Sequence, residues 1–244
     1  MRRALTASLM LGMVVTLSWA GGDPWKSKPF SQWDEKDVRR ILADSPWSKV
    51  IQVPAAWMTG GATDPAVASA AQEHSANGGI MGDRGAGTPP AVPKVPQATF
   101  VVRWLSSRTV REAVLRSEVL AGRMKEEDAE KKAAEPLEVY QVMIVGPDMK
   151  PFQGEDEKAL VATTYLLLKK TKQKAPASGV EFQRGSDGKT VQVVAFSFPQ
   201  KSATGEATIP PDEKSVEFYS SVGGANIRAS FEIPKMEDAK GRDL

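Results

Sequence analysis

The segment from residue 98 to residue 146 constrains the fold most, because it has the pattern of a strand, a helix and a second strand in succession. Residues 98–105 alternate apolar and polar side chains and are rich in β-branched and aromatic residues, which is typical of a half-buried strand. Residues 137–145 are apolar on nearly both faces, which favours a central strand covered on two sides. Such a strand–helix–strand segment most often forms a right-handed parallel unit, so the pattern predicts a parallel pair.

The helix between these strands is predicted to begin at Thr109. Glu112 follows at the spacing of a capping box, in which Thr109 and Glu112 together satisfy two unpaired backbone N–H groups. Apolar residues then recur at helical spacing, with arginines on the opposite face. The pattern allows the helix to continue through the Glu/Lys/Ala-rich residues 126–135, and Pro136 ends it because proline lacks the backbone N–H that a helix interior needs.

Residues 1–20 have the features of a secretory signal peptide. Arg2 and Arg3 precede an apolar stretch at residues 5–17, and small residues stand at the two positions that matter for cleavage after Ala20. The apolar stretch is short for a membrane span, which favours a cleaved signal over an uncleaved anchor. The sequence therefore predicts an exported protein, periplasmic or secreted, with no membrane span after signal removal.

Charge and cysteine content exclude several classes of function. The chain has 32 basic and 30 acidic residues. Because the predicted signal peptide carries two arginines and no acid, the mature chain is close to neutral and lacks the excess cations that nucleic-acid binding requires. The chain has no cysteine, which excludes a thiol nucleophile, a Cys-ligated metal and a redox pair. An exported protein without disulfides relies on its hydrophobic core.

Residues 21–58 form a tryptophan-rich arm. It is predicted to contain a helix capped by Ser31 or Asp34 and a strand at residues 47–53. Such a segment is too short to fold alone without disulfides or a metal, so we expect it to pack on the core at residues 98–234. Its tryptophans are predicted to be structural anchors rather than rings that stack on sugars or peptides; they are Trp25, Trp33, Trp47 and Trp57.

Two sequence motifs in the arm resemble those of other proteins. They are Trp25-Lys26-x-Lys28-Pro29 and Trp33-x-x-x-Asp37-x-x-x-Ile41-Leu42-x-x-Ser45-Pro46-Trp47. They resemble the opening of a group of uncharacterised exported bacterial proteins. Ile144-Val145-Gly146-Pro147-Asp148 and Pro211-Asp212-Glu213-Lys214 are similar to later segments of the same group. The resemblance implies export and a shared fold. It implies no catalytic residue, because the group has no known activity.

Residues 59–97 have the composition of a linker, rich in Gly, Ala and Pro. The linker holds His74, the only histidine of the chain. We expect His74 to be an exposed polar residue, because a catalytic triad needs an imidazole held by packed neighbours. The glycine-rich run at residues 78–87 lacks the preceding strand and the Gly-Lys-Ser/Thr ending of a phosphate-binding loop.

The last third of the chain predicts antiparallel hairpins followed by a frayed polar tail at residues 235–244. Turn signals rich in glycine separate strands with an alternating pattern. The predicted elements are a short helix at 154–163, a strand at 165–168, and hairpins at 180–184/190–198 and 215–222/227–233. Together these predict an α+β fold, with a mixed β-sheet, a crossover helix and C-terminal antiparallel hairpins.

Two charged groups in this part of the chain are candidate binding residues. Carboxylate oxygens suit Ca²⁺, and the calcium candidates are Asp148, Glu155, Asp156 and Glu157. A solvated turn and an acidic helix start explain the same residues and are favoured, because the spacing of a calcium-binding loop is absent. The lysines at residues 169–174 could bind an anionic surface, but a hairpin edge protected by charge is the simpler interpretation.

The sequence identifies no catalytic residue and no cofactor, so its functional prediction is general. It favours a non-enzymatic binding or structural module of the cell envelope, with an unknown protein or envelope partner and no nucleic acid. The alternative is a carboxylate-based hydrolase, possibly calcium-dependent. A third hypothesis is a sheet edge that another chain completes. A concave pocket with two converging acids, one with a raised pKa, would favour the hydrolase.

Overall fold

The computed structural model describes residues 22–59, 96–202 and 204–244, and two antiparallel sheets form its centre. In spatial order, the first sheet consists of β1 (Ser48–Pro54), β2 (Gln97–Trp104), β3 (Val139–Val145), β7 (Val191–Pro199) and β6 (Gly179–Arg184). The second consists of β5 (Lys174–Pro176), β4 (Thr164–Leu168), β8 (Ser215–Val222) and β9 (Ala225–Glu232). A small hairpin near the C-terminus pairs β10 (Glu237–Asp238) with β11 (Gly241–Arg242).

The described residues contain five α-helices beside the sheets, so the predicted α+β class is confirmed. They are α1 (Pro24–Ser27), α2 (Glu35–Ala43), α3 (Arg108–Leu120), α4 (Glu126–Ala134) and α5 (Glu157–Ala162). No helix in the described ranges is long and apolar enough to cross a membrane. The predicted signal peptide lies outside the described residues, as do His74 and the glycine-rich run of the linker.

The predicted parallel pair is wrong: β2 and β3 are antiparallel, with Val101 opposite Val145. The connection explains this difference. Instead of one long crossover helix, α3 ends at Leu120 and α4 starts at Glu126, with Gly122 between them at a φ of 69°. This helical hairpin returns the chain to the end of the sheet that it left, so β3 runs back along β2. Every strand pair that the structure describes is antiparallel, so the sheets are not mixed.

The two sheets are joined through a bent strand. β5 pairs with β4 in one sheet and β6 pairs with β7 in the other, and only two residues separate β5 from β6. Strands that change sheets in this way form the corners of sandwiches and open barrels. On the opposite boundary β1 and β9 lie side by side without a ladder between them. These two edges therefore face each other, and β5 and β6 are the outer strands at the other boundary.

Aromatic side chains fill the space between the sheets. The rings of Trp104 and Phe231 are 5.3 Å apart in an edge-to-face arrangement, and those of Phe196 and Phe218 are 5.7 Å apart. Such pairs contribute stability beyond their buried area. These four rings are fully buried and occupy the interior between the two sheets.

The start of α3 differs from the predicted capping box. Ser107 is the N-cap residue, and its Oγ accepts a hydrogen bond from the N–H of Val110 at 3.1 Å. Thr109 lies inside the first turn and is buried, so Thr109 and Glu112 form no capping box. The sequence was ambiguous here because Ser107 and Thr109 are both good cap residues.

The arm contributes to the same core as the sheets. Asp34, one of the two predicted caps, starts α2 and forms a capping box with Asp37. Trp25, Trp33 and Trp47 are only 5%, 2% and 0% exposed and belong to the central hydrophobic cluster. Trp57 is only partly buried, and its Nε1–H donates to Asp148 at 3.3 Å. Three of the four tryptophans are thus core residues, and the fourth lies at the edge.

The tail was predicted to be frayed, and this is wrong. Residues 235–244 form the β10–β11 hairpin, and Gly241 adopts a φ of 105° that favours glycine. Met236 is fully buried and Asp243 is 5% exposed. The tail is ordered although it is polar, because its polar groups bond to the arm and to α3.

Gly146 occupies a position with no room for a side chain. A Cβ there would lie 2.8 Å from Phe100 Cδ1 and 2.9 Å from the backbone oxygen of Thr99. We expect Gly146→Ala to lower the free energy of unfolding by about 2 kcal/mol, the usual cost of overpacking. The matched control is Gly179→Ala, where a Cβ has no neighbour within 4 Å. Equal midpoints for the two variants in urea denaturation would contradict this packing account.

Candidate functional site

A cleft lies between the arm and the tail, over the start of α3. We call it the arm–tail cleft, and its volume is about 430 Å³. The arm supplies one wall with aromatic and basic residues, α3 supplies the base, and the β10–β11 turn supplies the other wall. The residues that line it are Trp25, Lys26, Ser27, Lys28, Pro29, Phe30, Trp33, Arg108, Glu112, Asp238, Ala239 and Lys240.

Asp243 connects the three elements around the cleft. Its Oδ1 accepts a hydrogen bond from the N–H of Arg108 at 2.6 Å, and its Oδ2 accepts one from the N–H of Thr109 at 2.9 Å. Its backbone oxygen accepts the indole N–H of Trp47 at 2.6 Å. The N-terminus of a helix attracts an anion through its free N–H groups and its dipole. The chain's own carboxylate already takes that position on α3.

Asp238 is engaged by both of its oxygens. Oδ2 accepts from Arg108 Nε at 2.8 Å and from Arg108 Nη2, and Oδ1 accepts from the N–H of Lys240 at 2.7 Å. Its side chain is only 8% exposed. This carboxylate therefore holds Arg108 and the tail turn in place.

Glu112 is the other acid of the cleft, and its environment is different. It lies on α3 one turn after Arg108 and is half-buried, and its carboxyl group makes no hydrogen bond to a described residue. Burial raises the pKa of this carboxyl; the nearby cations of Arg108 and Lys240 oppose the rise, and the negative charges of Asp238 and Asp243 add to it. A half-buried carboxyl with a raised pKa is a feature of functional sites, although structural networks also produce it.

Lys26 and Lys240 are exposed on the two walls of the cleft. Neither forms an ion pair with a described residue, whereas Lys28 pairs with Asp37 at 2.7 Å. Phe30 and Trp33 stand edge to face on the arm side, with ring centroids 6.4 Å apart. The cleft therefore presents two lysines that form no ion pair with a described residue, beside aromatic surface, and the charge of one of them, Lys240, acts on Glu112 at the base.

Comparisons with protein-family models, with curated proteins and with solved structures find no match for this chain.

The residues of the opening motif have structural contacts that account for their pattern. Lys28 pairs with Asp37 across the arm. Ser45 Oγ donates to the backbone oxygen of Ile41 at 2.6 Å. Trp47 bonds to the tail. The motif thus builds the arm and attaches it, and only Lys26 among its charged residues is left free to contact a ligand.

The structure does not bring the four calcium candidates together. Asp148 accepts from Trp57 and from the N–H of Lys150, and Asp156 is the N-cap of α5 and accepts from the N–H of Ala159. Among the described residues, no group of three or more acidic or histidine side chains is placed to hold a metal ion. Glu155 precedes the N-cap residue Asp156, and Glu157 is the first residue of α5.

The lysines at 169–174 are mostly occupied by contacts within the protein. Lys169 pairs with Glu217 and Lys170 pairs with Asp212. The ammonium of Lys174 lies 4.2 Å from the ring centroid of Tyr165, a cation–π contact. A row of free cations, which an anionic surface would need, is therefore not present at this edge.

Sequence reasoning missed the acids of the cleft for identifiable reasons. Glu112 was assigned to a capping box, and Asp238 and Asp243 lay in the segment predicted to fray. One signal was available: Asp238-Ala-Lys-Gly241 has an acid at the first position of a turn and glycine at the last, which is typical of a tight turn. Nothing in the sequence indicates that Asp243 reaches α3, because that contact joins residues 135 positions apart.

The raised pKa of Glu112 predicts a pH-dependent effect on stability. Between the ordinary value of 4.5 and the raised folded value, the folded state binds more protons than the unfolded state, so stability falls as pH rises. We expect Glu112→Gln to stabilise the protein at neutral pH, because the amide removes the cost of burying a charge. The gain should disappear in acid, where Glu112 is protonated in both states.

Glu118→Gln on the same helix is the matched control for this measurement. The hydrogen bond from Arg123, followed by the charge of Arg123, lowers the pKa of Glu118, so its replacement should give no gain at neutral pH. Urea denaturation of both variants across the acidic range measures the effect. A gain for Glu112→Gln that stays constant with pH would show that the shift in the Glu112 pKa is not its cause.

Proposed function

We propose that this protein is a non-enzymatic binding module of the cell envelope, and that it holds an anionic ligand in the arm–tail cleft. The observation that carries the proposal is the pair of free cations on opposite walls, Lys26 and Lys240, beside the Phe30 ring. A binding site of this kind combines a few charged groups with aromatic surface. A carboxylate-bearing envelope polymer fits this combination.

The state of the acids favours binding over hydrolysis. Two-carboxylate hydrolysis needs one carboxyl as acid and a second free to act as base or nucleophile. In the cleft both oxygens of Asp238 already accept hydrogen bonds, and Asp243 is buried against α3. Only Glu112 is left without such a partner.

The location in the envelope is part of the proposal and is supported by the sequence alone. The charged start, the short apolar stretch and the small residues before Gly21 are the features of a cleaved export signal. A cysteine-free chain with a filled aromatic core is compatible with an oxidising compartment, because it needs no disulfide.

Co-sedimentation with isolated peptidoglycan sacculi tests the binding proposal. The mature chain should sediment with the sacculi, and the double charge reversal Lys26→Glu/Lys240→Glu should abolish this. The matched control is Lys158→Glu/Lys189→Glu, two exposed lysines outside the cleft, which should still sediment. Equal loss in both double variants, or no sedimentation of the unaltered chain, would overturn the proposal.

A carboxylate-based hydrolase is the second candidate, and Glu112 is the observation that favours it. A carboxyl with a raised pKa in a cleft can act as a general acid. If the protein is a hydrolase, incubation with sacculi should release new reducing ends or amino groups, and Glu112→Gln should stop this release. If it is a binding module, no release occurs and Glu112→Gln still sediments.

A further inference from the structure

A second pocket lies where the bent strand meets the end of β7. Its volume is about 350 Å³, within the range of small-molecule sites. Apolar groups form much of its lining, and they are Leu168, Ala175, Pro176, Pro199 and Ala207. Leu168 is buried, and Ala175 packs against the hydrophobic core. The base of the pocket is therefore continuous with the core.

Hydrogen-bonded turns build both walls of this pocket. On one side the N–H of Leu168 bonds to the backbone oxygen of Gln173 at 2.9 Å, closing a tight turn in which Lys172 has a φ of 61°. On the other side Lys201 bridges to Ala207, and the N–H of Ser202 bonds to the oxygen of Glu206 at 2.8 Å. The first wall is therefore held by its turn hydrogen bond, and the second by the Lys201–Ala207 bridge.

The charges on the rim favour an anion. Lys174 and Lys201 line the pocket with one acid, Glu206. Neither Lys201 nor Glu206 forms an ion pair with a described residue, and the ammonium of Lys174 lies over the face of Tyr165. The two neighbouring lysines, 169 and 170, are paired. The rim thus carries a net positive charge next to an apolar base.

We propose that this pocket binds a small amphipathic anion, with a short acyl chain or single ring against the apolar base and one carboxylate at Lys201. The volume limits the apolar part to a small group, and the rim charge selects the sign of the polar end. This site is separate from the arm–tail cleft, because the two share no lining residue. The proposal does not depend on the function of the cleft.

Three eight-carbon probes that differ only in their polar end test the proposal. Octanoate, octanol and octylammonium are titrated into the ¹⁵N-labelled mature chain, and backbone amide shifts are followed by NMR. We expect saturable shifts at Ala175 and Ala207 with octanoate and about tenfold weaker binding of octylammonium, because one charge contact near a surface can account for such a ratio. Octanol should fall between them.

Charge reversal at the rim completes the test. Lys201→Glu should weaken octanoate binding about tenfold and strengthen octylammonium binding, while Lys158→Glu on α5 should change neither. Unchanged shifts elsewhere in the spectrum show that each variant is folded. The proposal is overturned if octanoate shows no saturation at these amides, if the three probes bind equally, or if Lys201→Glu leaves the preference unchanged.

Discussion

Replacing Asp243 with alanine is expected to lower the free energy of unfolding by about 3 kcal/mol, a large effect for a residue of the polar tail. The substitution removes the carboxylate that bonds to the N–H groups of Arg108 and Thr109. Thr109 is buried, so its N–H would lose its partner without gaining water. Loss of a charged cap at a helix N-terminus adds to this cost.

Asp212→Ala is the matched control for Asp243→Ala. Asp212 pairs with Lys170, but its side chain is 65% exposed, and exposed ion pairs contribute at most about 1 kcal/mol. Urea denaturation followed by circular dichroism compares the two variants. If Asp243→Ala is as mild as Asp212→Ala, the tail does not fix α3 in the way described.

The second large effect is expected for Trp47→Ala, which should cost about 4 kcal/mol, as large aromatic truncations in cores do. Trp47 is fully buried and packs edge to face against Trp25, with ring centroids 5.4 Å apart. Its indole N–H also holds the backbone oxygen of Asp243. One substitution therefore leaves a cavity and an unpaired carbonyl group.

Trp57→Ala removes the same side chain from the same arm and is the control for Trp47→Ala. Trp57 is partly buried and makes one hydrogen bond, to Asp148, so we expect less than half of the Trp47 effect. Trp47→Phe separates the two contributions, because it keeps most of the packing and loses the hydrogen bond. A larger effect at Trp57 than at Trp47 would contradict the division of the tryptophans into core and edge residues.

Local features of the fold could be predicted from the sequence because they depend on neighbouring residues. The alternating pattern located β2, β8 and β9 to within one or two residues, and Asp34 was one of two caps proposed for α2. These signals come from strand periodicity and cap chemistry, which act over a few positions. The α+β class follows from the same signals.

The features that the sequence did not predict depend on contacts between distant parts of the chain. The direction of β3 relative to β2 depends on how α3 and α4 turn at Gly122, and no local pattern fixes that. The order of the tail depends on Asp243 reaching α3. The acids of the cleft could not be predicted for the same reason. Glu112 lines a cleft only because the arm and the tail lie on either side of it.

Hydrogen exchange of the tryptophan indole N–H groups and the backbone amides, measured by NMR on the uniformly ¹⁵N-labelled chain, tests the central claim that arm, tail and sheets form one unit. We expect the Trp33 and Trp47 indoles to exchange as slowly as the amides of β3, since their N–H groups are buried and bonded. The Trp57 indole should exchange much faster. Fast exchange at Trp33 and Trp47 while the β3 amides stay protected would show that the arm opens independently, and it would contradict the account.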